Sequence, residues 1–186
     1  MKRIIALTLA LALLAPLNVL AQTYIVDPSN TTIQFKVKNL GIMYVKGAFE
    51  KFKGMVDIDE ADISKSKADV SIETASINTG INKRDNHLRS DDFFDVAKFP
   101  AMTFVSTKVE AGPDKDKLKV TGNLTIKGLS KQVVLLVDGP KSPASGNQKR
   151  VATATASVNR QDFGVSWGGI ISDEVFITIN TELVKQ

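Results

Sequence analysis

The amino-acid sequence predicts an all-β protein: a closed antiparallel barrel of about eight strands with a short helix over one opening. Three observations lead there. Apolar and polar residues alternate with period two along most of the chain, as they do on strands with one dry and one wet face. Several alternating segments run to about ten residues, longer than the common five or six, and closing the sheet removes the edges that such strands would leave. One segment, residues 81–90, breaks the alternation and reads as one or two helical turns. A two-sheet sandwich is the alternative.

The chain opens with MKRIIALTLALALLAPLNVLAQ. Lys2 and Arg3, the apolar run 4–14 and the small Ala21 before Gln22 predict a signal peptide over residues 1–21. The run is shorter than the roughly 20 residues of a spanning helix, and Pro16 and Asn18 interrupt its end. The expectation is one domain, residues 22–186, exported to the periplasm without stable membrane insertion. The chain has no cysteine, which excludes disulfides, thiolate chemistry and lipid attachment through sulfur. Without Lys2 and Arg3 the 24 basic residues fall to 22, against 20 acidic ones. They are scattered as singles rather than interleaved with aromatics, so nucleic acid is not an expected partner.

The strands follow in order. In TTIQFKVK (31–38), Ile33, Phe35 and Val37 share a face. Strands are then expected at 53–59, 68–77 and 101–110. In KLKVTGNLTIKG (117–128), Leu118, Val120, Leu124 and Ile126 share a face with Gly122. Two more follow at 131–138 and 149–159, and in EVFITINTELVK (174–185) the face is Val175, Ile177, Ile179 and Leu183. Turn chemistry punctuates them at 27–30, 111–114, 127–128 and in the polar loop 139–147. Residues 39–52, rich in glycine and aromatics, fit no strand. VVLLV (133–137) and AMTFVSTKV (101–109) are apolar on both faces, which predicts a wall covered by another element or by a second copy in a homodimer. In VATATASVN (151–159) neither face fills volume; Ala152, Ala154 and Ala156, like Gly122, either accommodate bulky neighbours or leave room for a ligand.

The chemistry-bearing stretch is NKRDNHLRSDDFFDVAKFP, residues 82–100, with the only histidine, His87, among Arg84, Asp85, Arg89, Asp91, Asp92 and Asp95. An active site there needs a nucleophile oriented by the imidazole; Ser90 is close in sequence, but no G-x-S-x-G elbow exists. One histidine without cysteine is a poor metal set, and the segment lacks the glycine of a calcium loop. The other reading is structural. On a helix capped by Asn78 or Thr79, Asp85 and Arg89 form a favourable i,i+4 pair, while Ile81, Leu88, Phe93 and Phe94 face the protein like a plug over a barrel mouth. Pro100 hands the chain to the next strand.

Taken together, YIVDPSNTTIQFKVKNLGIMYVKGAFEKFKG, INTGINKRDNHLRSDDFFDVAKFPAMTFVST and VTGNLTIKG followed by VNRQDFGV resemble the YceI-like family of bacterial periplasmic lipid-binding proteins. The likeness spans nearly the whole of 22–186. Residues 84–90 match the family's helix motif, 92–95 the segment after it, and 159–164 the loop before the last strand. The resemblance implies an extended, lipocalin-like eight-stranded barrel that holds a long polyisoprenoid, such as a quinone tail or an isoprenoid alcohol. It implies no catalytic residue and no cofactor beyond that lipid. Arg160 and Asp162 would then pair with the helix charges in a salt-bridged rim. With the alternation, it makes Phe35, Val37, Phe49, Ile72, Leu88, Phe94, Phe104, Leu124, Leu135, Phe163, Trp167, Ile177 and Ile179 the expected ligand contacts. Two rival functions stay open: a filled barrel acting as an interaction module, and a hydrolase or isomerase using His87.

Overall fold

The computed structural model describes residues 21–143 and 148–186; nearly all of the expected signal peptide, and residues 144–147 of the polar loop, lie outside them. Eleven strands form one antiparallel sheet: β1 Gln22–Val26, β2 Thr32–Asn39, β3 Met43–Phe49, β4 Phe52–Ile58, β5 Lys67–Glu73, β6 Ile77–Asn78, β7 Ala101–Ala111, β8 Lys117–Ile126, β9 Leu129–Lys141, β10 Lys149–Asn159 and β11 Ile171–Lys185. Among the described residues a single α-helix, α1, spans Asn82–Arg89.

The pairing reduces these strands to eight. β1 and β2 lie end to end along β11, with Val26 opposite Leu183 and Ile33 opposite Ile179. β3 and β4 likewise lie end to end along β2 and β1, and β5 and β6 along β4 and β3. Each of these three long strands is broken once, at 27–31, 50–51 and 74–76. Each is followed by its spatial neighbour, and the β1–β11 pairing closes the ring. The barrel is therefore an up-and-down meander. β11, with 15 residues, extends about 50 Å and gives a barrel height of about 35–40 Å at the usual strand tilt.

Two strands lie where none was expected. β1 is only five residues long and ends at the Asp27 turn, where Asp27 Oδ1 accepts from the Ser29 amide. β3 occupies half of the segment 39–52, because Met43, Val45, Gly47 and Phe49 alternate against β2 once a tight turn at 40–41 is allowed. The two-sided apolar strands are not covered by any described element. On β9, Val133, Leu135 and Val137 point inward, while Val134 and Leu136 are exposed at 39% and 45%. On β7 a bulge between Ser106 and Lys108 shifts the phase, so Met102, Phe104 and Val109 are all interior. The bulge, not a second buried face, made the pattern look two-sided. Gly122 faces the interior as expected, but its space is taken by Phe104: a Cβ there would lie 2.5 Å from that ring. Gly47 stands in the same relation to Phe35.

One end of the barrel is closed. The short 3-10 turn Ile63–Lys65 lies there, with Tyr24 fully buried. Arg150, 8% exposed, sits over the Tyr24 ring and pairs with Glu60. At the other end lie α1 and the loop 160–170. The helix is not capped by Asn78 or Thr79; its N-cap is Ile81, without a side-chain bond. Nor does Asp85 reach for Arg89. The buried Asp85 carboxylate accepts from the Thr79 amide and hydroxyl, Arg84 donates to Thr79 Oγ1 and its carbonyl, and Arg89 donates to the carbonyls of Ala75 and Ile77. These bonds fasten α1 to the segment preceding it.

The expected pairing of Arg160 with the helix is also corrected. Arg160, 7% exposed, donates to the carbonyls of Val165, Trp167, Gly168, Ile171 and Ser172 and pairs with Asp173 at 3.1 Å. Asp162 is exposed. One guanidinium thus satisfies a loop's inward carbonyls, which five donors in a planar fork allow. Replacing it strands those carbonyls. Arg160→Met is expected to lower stability by about 3–5 kcal/mol, read from the urea midpoint, with red-shifted emission from Trp167. Arg160→Lys should recover only part of it, because one ammonium cannot span the set.

Candidate functional site

The inward residues of the eight strands, with α1 and the segments on either side of the mouth, enclose two adjoining chambers. The deeper one has a cavity volume of about 230 Å³ and an apolar surface. Ile33, Ile72, Phe104, Leu124, Leu135, Ile179 and the alanine face Ala152, Ala154 and Ala156 line it. The chamber beneath the mouth, about 560 Å³, is lined by Val37, Val45, Leu88, Phe93, Phe94, Phe163, Trp167 and Val175. The two share Phe35, Phe49, Met102, Ile126, Val158 and Ile177, which form a waist. There the Phe35 and Phe49 rings lie 5.7 Å apart, and Phe94 meets Phe49 edge-on at 6.0 Å.

All thirteen residues expected to contact a ligand lie on these walls. For the nine on strands the placement follows from parity, since every second residue of a barrel strand faces the lumen; Leu88, Phe94, Phe163 and Trp167 reach the mouth from α1 and the loops. Sequence reasoning missed Val45, Met102 and Val158. Val45 lay in the segment taken as irregular, although it has the parity of Phe49, and Val158 continues the alanine face by one more step of two. The small-residue strand does leave room, since its alanines face open cavity.

Thr31, Gln34, Ser66, Lys67 and Thr181 border the deep chamber but turn no polar surface to it; polar surface reaches the lumen at the mouth. Lys83, Arg84, His87 and Arg160 line the mouth chamber, together with Asn39, whose side-chain oxygen is buried without a hydrogen-bond partner. His87 is held in place rather than poised. Its Nε2 lies 2.9 Å from Asp92 Oδ2, and its ring is edge-on to Trp167 at 4.5 Å and to Phe93 at 5.1 Å. The Ser90 hydroxyl donates to the His87 carbonyl, closing the last turn of α1 instead of facing the imidazole. Leu88, Phe93 and Phe94 pack inward as expected, while Ile81 is 51% exposed at the rim. Next to the helix, Lys98 bonds Asp95 at 3.0 Å, and that bond raises the ammonium pKa above its ordinary value. Among the described residues no cluster of His, Asp and Glu could hold a metal ion.

Such an arrangement accepts a long, thin hydrocarbon. The deep end offers nothing to hydrogen-bond, so a polar group carried there would lose its water without compensation. Any polar head must stay among the side chains of the mouth.

Comparison with known proteins agrees with this geometry. The YceI-like domain matches residues 24–183. The UPF0312 protein of Shewanella denitrificans is 35% identical over the whole chain and 99% of its own length. The Campylobacter jejuni YceI protein superposes with a TM-score of 0.70 at 38% identity, over 80% of this chain and 89% of its own. A polyisoprenoid-binding domain from Saccharophagus degradans, implicated in plant cell wall breakdown, has the same fold, with a TM-score of 0.68 over 89% of this chain and 99% of its own, at 18% identity. A barrel closed by β1 and β11, a mouth helix fastened through Asp85 and Arg89, and a match from residue 24 to residue 183 make this chain a member of the YceI-like family.

Proposed function

We propose that this protein binds one long-chain polyisoprenoid, quinone-like or an isoprenoid alcohol, and sequesters or carries it in the periplasm after export on the 1–21 segment. The observation that carries this reading is the lumen: two adjoining chambers, the deep one presenting no polar surface and the outer one bordered by charged side chains at the mouth. Each methylene moved from water into such a space contributes about 0.8 kcal/mol. Affinity then grows with chain length and owes little to the head group. The Saccharophagus degradans domain, described as polyisoprenoid-binding, supports the reading through its fold. No catalytic step is invoked: His87 acts as a wall of the mouth, stacked on Trp167 and Phe93.

Native mass spectrometry of the protein, with organic extraction of the same sample, tests the proposal. The expected result is a discrete added mass recovered as an isoprenoid. A bare mass that stays bare after incubation with isoprenoid quinones would overturn the proposal in favour of a filled barrel. Ala154→Phe places a ring in the deep chamber and displaces the chain end. Excluding two methylenes should weaken binding of a long chain by about 1.6 kcal/mol, roughly fifteenfold, and leave a chain too short to pass the waist unaffected. His87→Ala removes two aromatic contacts worth about 0.5–1.5 kcal/mol each. Ligand release measured by stopped-flow should then be several-fold faster at nearly unchanged capacity; loss of a chemical turnover instead would favour the enzyme reading.

A further inference from the structure

We infer that the β2–β3 hairpin docks this protein, mouth first, on a lipid bilayer bearing anionic head groups. Leu40, Ile42, Met43 and Tyr44 at the tip are exposed at 58%, 84%, 62% and 45%. Ile170, whose carbonyl accepts from the Leu40 amide at 2.9 Å, is exposed at 60%. Trp167 and Ile81, on the mouth chamber itself, are about half exposed. Half of the fourteen exposed large hydrophobic side chains among the described residues thus sit around one opening. Apolar patches of that kind mark interaction surfaces.

The turn's backbone argues that the tip is not a by-product of folding. The Ile42 amide bonds the Asn39 carbonyl, and both central residues have positive φ, Leu40 at 53° and Gly41 at 73°. This is a type I′ turn, whose first central position favours Asn, Asp or Gly. A leucine there is strained, since branched bulky side chains rarely enter the left-handed region. It is also left in solvent. Asparagine would relieve both costs, so what leucine contributes must come from contact with something outside the chain.

The charge around the tip selects the occupant. KVKNLGIMYVK, residues 36–46, holds three lysines and no acid. Lys36 and Lys38 lie 5.3 Å and 5.8 Å from the Tyr44 ring centre, Lys46 is opposite Lys36, and Lys83 is exposed on α1. Of the acids at this opening, Asp173 and Glu174 on β11 are bonded to Arg160 and Ser157, Asp92 is bonded to His87, and Asp162 is exposed in the loop that follows β10. Asp91 lies by the β8–β9 hairpin, whose Lys127 reaches its carbonyl; in the eight-strand ring that hairpin is opposite β2 and β3. Aliphatic and aromatic side chains collared by lysine suit the boundary between acyl chains and anionic head groups. No described helix is long and apolar enough to cross a membrane, so the contact is peripheral. That the ligand passes from this bilayer into the mouth rests on the proposed function; the docking itself does not.

The test is co-sedimentation of the protein with vesicles of phosphatidylethanolamine and phosphatidylglycerol, against phosphatidylcholine vesicles. The anionic vesicles are expected to retain the protein, less so as salt rises. Ile42→Ser with Met43→Ser, and separately Lys38→Glu, should each lower retention by about tenfold. Uptake of a long-chain isoprenoid alcohol delivered from cyclodextrin is measured in parallel. It should be equal in all variants, because the tip lies outside the chambers, whereas uptake from vesicles should slow with retention. No retention on anionic vesicles, or retention that survives the paired serine substitutions, would overturn the inference. So would a dimer, seen by sedimentation velocity, that those substitutions abolish while vesicle binding is absent. Failed uptake from cyclodextrin would count against the proposed function alone.

Discussion

Everything in this structure depends on β11 finding a partner on both flanks. One flank bonds β10 over eleven residue pairs, from Lys149–Val184 to Asn159–Glu174. The other bonds β2 along its first part and β1 at its end. Without that second flank the sheet would be an open meander with two long edges. With it, each strand must send alternate residues into one shared interior. Most of the residues sent there are valine, leucine, isoleucine, phenylalanine and alanine, so an apolar lumen follows from closure and period-two patterning together.

Much of this was legible in the sequence, because lumen parity and sequence parity are the same quantity. Ile33, Phe35 and Val37 could be assigned to one wall from TTIQFKVK alone, and so could the inner faces of β8 and β11. Legibility failed where something local reset the count. A bulge at Ser106 and Lys108 moved β7 from even to odd inward positions. A two-residue turn at Leu40 and Gly41 hid β3, since leucine is not a turn signal. The chambers were legible only in part: the small face Ala152, Ala154 and Ala156 allowed for space there, but alternation names the residues that face inward and not how much space they leave between them.

Charged groups were the least legible part. Arg84, Asp85 and Arg89 stand together in the sequence like an ion-pair network that Arg160 could join, yet apart from the contacts of Arg160 to Asp173 and of Arg89 to Asn86 they bond the backbone and Thr79. The irregular segments of the open end leave carbonyls that no strand can satisfy, and long guanidinium side chains reach them. Spacing suggested salt bridges because it shows which charges are near one another, not which carbonyls lack a donor. A protein without disulfides thereby orders the two coverings of its mouth.

Where Phe104 lies over Gly122 and Phe35 over Gly47, each ring rests against bare backbone, and a Cβ at either glycine would come within 2.5 Å of it. The bore that strand number and shear define is therefore narrowed at those levels by side-chain torsions. A family that keeps one backbone can diversify its cargo by exchanging a glycine for alanine, or a ring for an aliphatic chain, one residue at a time. Gauge in this barrel is inherited separately from architecture.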